Sequence, residues 1–294
     1  MVISSMASPQ SAGSSLPGAA GEEYLPPRPR GPSVLDLVRL SPVPVFPPGG
    51  EELYRQIALL TELTPDQLFL DTACGRGIST DFLASTSGAE GYGLDSNPGF
   101  IAEAEQRARA SGQGDRVHFE AGSLQDLPYR DGIFDVVIGE LAIATLVDPR
   151  RAVQELARVT KPMGSVVLVQ LIWTGNVDEH GREELVQHLG ARPLLLVEWK
   201  QLLRDAGVVE LHVEDWSDYS SPFRPAVSST FHDLSEIFSL RQKAVILQRA
   251  FRRWGWRGVR GAIVREREIH RLLTRERVLG LSLIKGTRWE TGKQ

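Results

Sequence analysis

Several residue types are scarce in this chain, and each scarcity closes off a class of function. There is one cysteine, Cys74. A single chain therefore has no internal disulfide framework and no cysteine cage for a metal, which fits a reducing compartment such as the cytoplasm. Lysine occurs five times and asparagine twice, so arginine carries nearly all the positive charge, in part through genome composition. No apolar run reaches the roughly 18 residues that a membrane-spanning helix needs. The first residues, "MVISSMASPQSAGSSLPG", have neither a basic flank nor a long apolar stretch, so they make a poor signal peptide. The six histidines include no pair at ligand spacing, and no metal is expected.

What is present is the balance of a soluble globular protein, 41% hydrophobic and 24% charged. The charge is uneven. Residues 241–294 hold 15 of the 33 Lys/Arg but only 4 of the 37 Asp/Glu. An acidic body thus ends in a basic region.

Residues 1–33 are rich in Ser, Gly, Ala and Pro and read as disordered, because so little apolar surface cannot offset the entropy of ordering. Residues 34–50, interrupted by four prolines, read as an extended arm. Apolar residues Leu53, Ile57, Leu60 and Leu63, with two acids in the first turn, predict a helix. From there strands and helices alternate. "LFLDTA", "EGYGLD", "VHFEAG", "IFDVVIGE", "SVVLVQLIW" and "VVELHVEDW" read as strands. Helices are expected at 76–87, 97–111, 148–162 and 198–207. That order predicts a doubly wound, mostly parallel α/β sheet. "VLGLSLIKGTRW" adds a last strand, and the segment before it reads as a helical insertion.

"LFLDTACGRGISTDFL" raises the question of a nucleotide, since a strand, a glycine turn and a helix N-terminus make an anion site. Gly75-x-Gly77-x-x-Thr80 nearly matches the dinucleotide fingerprint, and Asp95 ends the next strand. Two details argue against a dinucleotide. Thr80 replaces the third glycine, and Asp71 sets a carboxylate at the mouth of the loop. A pyrophosphate is repelled there, whereas a ligand with an ammonium and a sulfonium is attracted. S-adenosylmethionine is such a ligand.

Four blocks then carry a resemblance. "DTACGRG", "GLDSNPGFIAEAEQRA", "LQDLPYRDGIFDVVIGE" and "ELARVTKPMG" resemble, in order and spacing, the motifs of the class I S-adenosylmethionine-dependent methyltransferases, in particular the small-molecule and quinone-type group. The resemblance covers residues 49–216 and the last strand. It implies a seven-stranded sheet of order 3-2-1-4-5-7-6 with strand 7 antiparallel. The methyltransferase domain then takes residues 34–216 and 277–294, and the helical insertion takes 217–276. It also implies a cofactor pocket formed by Asp71, Ala73, Cys74, Gly75, Gly77, Asp95, Ser96, Ser123, Leu124 and Glu140. Asp71 would face the methionyl ammonium or bond its own loop amides. Asp95 would take the ribose hydroxyls or cap the next helix. Glu140, at the switch point, would touch cofactor or acceptor or be a solvated strand end. Ser123 stands where the family usually has an acid for adenine, so the Leu124 backbone or Asp126 would share that task. Met163 replaces the first glycine of a Lys-Pro-Gly-Gly turn. Cys74 reads as packing.

Trp173, His180 and Tyr129 are placed near the expected mouth. No side chain stands out as a base, and none is required. Methyl transfer from a sulfonium is an in-line displacement with a neutral leaving group, in which orientation supplies about 7–11 kcal/mol. A small or lipid-like acceptor is expected. Two alternatives stand beside it: an RNA methyltransferase that uses the basic insertion, and a cofactor-binding module without turnover. The Arg/Trp-rich insertion, with Trp254 and Trp256 among arginines, has three readings: contact with an anionic membrane, tracking of RNA, or a lid pairing with the acidic body. In the lid reading its apolar residues, among them Leu240, Ile246, Leu247 and Phe251, are covered by the body or in part line an acceptor pocket, and its arginines stay outside. The chain has no Asn/Asp-Pro-Pro-Tyr/Phe motif and no second cysteine, which argues against a nucleic acid acceptor.

Overall fold

A computed structural model describes Pro32 and residues 34–146, 148–175, 177–217 and 238–289. The segment expected to be disordered, apart from Pro32, lies outside those residues, as does the first part of the insertion, 218–237.

The chain runs α1 (Val34–Arg39), α2 (Gly50–Leu60), β1 (Leu68–Thr72), α3 (Ile78–Ser87), β2 (Glu90–Asp95), α4 (Pro98–Ala110), β3 (Val117–Ala121) and β4 (Phe134–Gly139). It continues through a 3-10 turn (Leu141–Thr145), α5 (Pro149–Val159), β5 (Thr160–Trp173), α6 (Glu179–Leu189), β6 (Leu194–Leu195), α7 (Leu196–Asp205), β7 (Val208–Asp215), α8 (Leu240–Thr274) and β8 (Leu279–Arg288). The strand order is β3-β2-β1-β4-β5-β8-β7, with β8 antiparallel to both its neighbours. This is the expected order with one addition, the two-residue β6 that pairs with β5. Two residues are too few to leave a sequence signal.

The central strands read as continuous apolar runs because helices cover both faces. Val166 and Leu168 pack under α5, α6 and α7, where Leu156, Leu185 and Trp199 are buried. Val167 and Val169 face the other way, towards Leu53 and Ile57 of α2 and Leu83 of α3. Asn97 and Asp148 cap α4 and α5 by accepting the backbone N–H two residues on, each with a proline at the first helical position.

Two expectations need correcting. The arm is not extended throughout, since residues 34–39 form α1. The first of its four prolines is Pro42, which comes after the helix has ended, so no proline opposes α1. The "TKPMG" turn belongs to β5 as an irregularity, between Thr160 opposite Phe134 and Ser165 opposite Val136, and Met163 sits there at φ 63. The insertion's helix α8 bends at Gly255, whose φ of 65 and ψ of −178 break the helical path.

A third apolar cluster lies apart from the sheet. Ile246, Ala250, Val259 and Ala262 of α8 pack against Leu37 of α1. Arg249 donates to the carbonyls of Leu40 and Ser41, and Arg265 to that of Pro32. The arm and α8 are therefore held to each other. Phe46 anchors the arm on the body, against Tyr54 and Phe82.

Candidate active site

The carboxyl ends of β1, β2 and β4 meet where the strand order reverses, which is where open α/β sheets bind ligands. The loop after β1 starts with Ala73 at φ 60 and carries Gly75 and Gly77 at φ 56 and 70. Gly77 allows no side chain, because a Cβ there would lie 2.3 Å from the ring of Phe119. Gly75 differs, since a Cβ there would meet nothing within 4 Å and would project into the cleft. Cys74 N donates to Leu94 O at 3.1 Å and fixes the loop beside β2. Burial pushes the Cys74 thiol well up, so it stays protonated and acts as packing, not as a nucleophile.

Asp71 is fully buried. Its Oδ2 accepts from Ser79 Oγ and Thr80 Oγ1, both at 2.7 Å. Thr80, which breaks the dinucleotide pattern, is thus a clamp on the loop acid. Glu140 is also buried and not a solvated strand end; Tyr54 Oη donates to its Oε1. The Glu140 and Asp71 carboxyls are buried close enough for each to act on the other's charge. Asp71 Oδ1 has no hydrogen-bond donor among the described residues. Burial raises the Glu140 pKa well above the carboxylate range, and the neighbouring Asp71 charge adds to it. Burial also raises Asp71, to about 6, against the lowering by Ser79 and Thr80. Both shifts are upward, and Glu140 is the carboxyl that holds its proton more firmly. Burial raises the Tyr54 phenol as well, which keeps it a donor.

The raised acids make stability depend on pH. The folded pair retains protons that the unfolded chain gives up in the ordinary carboxylate range, so this contribution is complete at low pH and declines as pH rises through about 6 and beyond. Glu140→Gln, which stays neutral and still accepts from Tyr54, should flatten that decline. Melting temperatures measured across pH check it; an equally steep decline in the variant would place its origin elsewhere.

Asp95 closes the other side. Its Oδ2 accepts from Gly75 N at 3.0 Å and its Oδ1 from Asn97 N at 2.8 Å. It does not cap α4, because Asn97 does that, and each oxygen keeps a lone pair for a hydroxyl. Ser96, Ser123 and Leu124 continue the wall of a cleft of about 890 Å³, while Asp126 is not part of the wall. Arg158 fixes the segment bearing Ser123 by donating to the carbonyls of Leu127 and Tyr129 and to Asp131. The arginine of the "ELARV" block is therefore structural.

The cleft narrows into a pocket of about 140 Å³ above Glu140, roofed by residues 38–47 of the arm. Arg76 holds this roof, donating to Ser41 O at 2.8 Å. On the wide side Asp36, Arg39 and Arg253 reach the wall. Arg253 therefore lines the rim of the cleft while remaining exposed, where the expectation kept the insertion's arginines outside. Leu240, Leu247 and Phe251, expected to be covered or to line the pocket, are exposed. Trp173 is core, with Arg182 stacked on it, and Tyr129 packs on Phe134; neither lines the cleft. The His180 side chain lies outside the described residues.

Sequence reasoning misses Tyr54, Ser79, Arg39 and Arg253. Ser79 and Thr80, two hydroxyls in the first turn after the loop, are a legible signal. Tyr54 is not, because it sits on the apolar face of an ordinary amphipathic helix.

A methylated sulfonium nucleoside fits this set. Glu140 stands on the wall of the narrow pocket with Asp71 buried behind it, and Asp95 stands on the wall of the wide cleft. Residues 70–168 match the family model for a methyltransferase domain. The chain is 29% identical over 173 residues to the tocopherol O-methyltransferase of Arabidopsis thaliana, covering 55% of this chain and 49% of that protein. It is 35% identical over 124 residues to the demethylmenaquinone methyltransferase of Clavibacter sepedonicus, covering 42% and 49%. The matches thus span about half the length of these relatives. The fold is similar to that of the [4+2]-cyclase SpnF, at TM-score 0.64 and 22% identity over 81% of each chain. The motifs and the sheet order agree with that match to a methyltransferase domain over residues 70–168.

Proposed function

We propose that the protein transfers a methyl group from S-adenosylmethionine to a small or lipid-like acceptor. The observation that carries this reading is the buried Asp71–Glu140 pair beneath the glycine loop, which suits a cationic ligand and repels a pyrophosphate. When bound, the cofactor supplies an activated methyl group. The chain's own part is to hold the two partners in line and exclude water. Ala73, Cys74, Gly75, Asp95, Ser96, Ser123, Leu124 and Glu140 line the cofactor side, and Asp71 and Gly77 shape the loop behind it.

The acceptor side is proposed to be the wide end, under α1 and α8. Arg253 there favours an acceptor that carries or develops negative charge, such as a phenol or an enol, while Arg39 is paired with Asp36. Tocopherol and demethylmenaquinone, for which two relatives are named, are lipid-soluble ring compounds and guide the choice of trial acceptors. The test is incubation with methyl-labelled S-adenosylmethionine and a panel of phenols, quinols and enols. Label moving to one of them supports the reading. Cofactor binding without transfer to any acceptor would favour a second reading, a module that holds the cofactor for another purpose. The SpnF likeness keeps that reading open, because one fold serves several chemistries.

Segment 217–276 is proposed to act as a lid, with α1 as its seat. Ile246→Asp sets an unpaired charge in the small α1–α8 cluster and should undock the lid without touching the sheet core. Cofactor affinity should stay within about tenfold while turnover falls further than that. Full turnover in this variant would argue against a lid.

A further inference from the structure

The outward face of α8 has no role in the site. Between residues 240 and 265 the helix carries eight Lys/Arg and no Asp/Glu. Three are engaged: Arg249 and Arg265 on arm carbonyls, and Arg253 at the rim of the cleft. Arg241, Lys243, Arg252, Arg257 and Arg260 make no ion pair among the described residues. Between these bases runs an apolar stripe. Leu240, Leu247 and Phe251 are 82%, 44% and 56% exposed, and Ala244 stands between them at helical spacing. Past the bend at Gly255, Trp256 is 70% exposed beside Arg257. The opposite face of the helix is buried on α1 through Ile246 and Ala250. The stripe is therefore not a core face left over.

We propose that this face docks on an anionic lipid bilayer. An amphipathic helix with large apolar side chains flanked by arginines lies in the headgroup plane, its apolar stripe in the acyl boundary and its bases on lipid phosphates. Charge complementarity selects this occupant. A second copy of the chain would bring the same cluster of unpaired bases against itself, and the rest of the chain is acidic. Arg253, on the same helix, reaches the cleft wall, so docking sets the wide end of the cleft close to the bilayer. The inference does not depend on which molecule is methylated.

The test is co-sedimentation of the full chain with vesicles of phosphatidylcholine alone and of phosphatidylcholine mixed with phosphatidylglycerol. Binding should require phosphatidylglycerol and weaken as salt is raised. Leu247→Glu with Phe251→Glu should reduce partitioning at least tenfold, and Arg241→Gln with Arg252→Gln should reduce it while flattening the salt response. Both pairs are exposed, and an unchanged melting temperature shows that the fold is retained. Failure of the wild type to sediment with anionic vesicles overturns the proposal, as does binding that both double variants preserve. A wild-type dimer that the Leu247/Phe251 variant dissociates, without vesicle binding, also overturns it and makes the stripe a self-association face.

Discussion

Gly77→Ala is expected to lose cofactor binding and a large part of the protein's stability together. An alanine at φ 70 costs roughly 1–2 kcal/mol in backbone strain alone. Its Cβ would stand 2.3 Å from Phe119 Cε1 and 3.1 Å from Ala104 Cβ. Phe119 has no easy retreat, because its ring already fills the space that a side chain on Gly93 would occupy, 2.5 Å from a Cβ built there. Overpacking of this kind costs about 1–3 kcal/mol more. The total, roughly 2–5 kcal/mol, is a large fraction of a typical stability. Relief by moving the loop would shift Gly75 and Asp95 relative to each other. Thermal melts and calorimetric titration check both effects. An alanine variant with native stability and affinity would mean that the loop is not packed as described.

Asp95→Ala is expected to weaken S-adenosylmethionine binding by one to two orders of magnitude, or more, while the domain stays folded. A bond to a charged carboxylate is worth about 1.5–3 kcal/mol, and the ribose offers two hydroxyls. The substitution also releases the amides of Gly75 and Asn97, so the loop loses an anchor as well as a ligand contact. Asp95→Asn separates the two effects: its amide oxygen can still accept from a loop N–H, but it lacks the charge. It should fall between wild type and alanine. Affinity unchanged in Asp95→Ala would mean that another group holds the ribose.

The sheet order is legible because a strand buried on both faces writes an apolar run and each crossover helix writes its own cap, as at Asn97 and Asp148. Gly77 is legible as a loop glycine, and its contact with Phe119 supplies the physical reason. What stays hidden depends on distance in sequence. Tyr54 meets Glu140 across 86 residues, and nothing in either local pattern announces the pair. α1 is masked by the prolines that follow it, and its partner α8 lies far along the chain, 209 residues apart at the Arg249–Leu40 bond. The apolar stripe on α8 escapes for a related reason. Helical periodicity identifies an apolar face, but not which neighbour covers it.

The loop after β1 is expected to accept a sulfonium nucleoside and to refuse a dinucleotide. Calorimetric titration of the full chain with S-adenosylmethionine, and separately with NAD, tests this most directly. Saturable binding of S-adenosylmethionine, lost in Asp95→Ala, with no heat from NAD, is the predicted result. Saturable binding of NAD without a response to S-adenosylmethionine would contradict it.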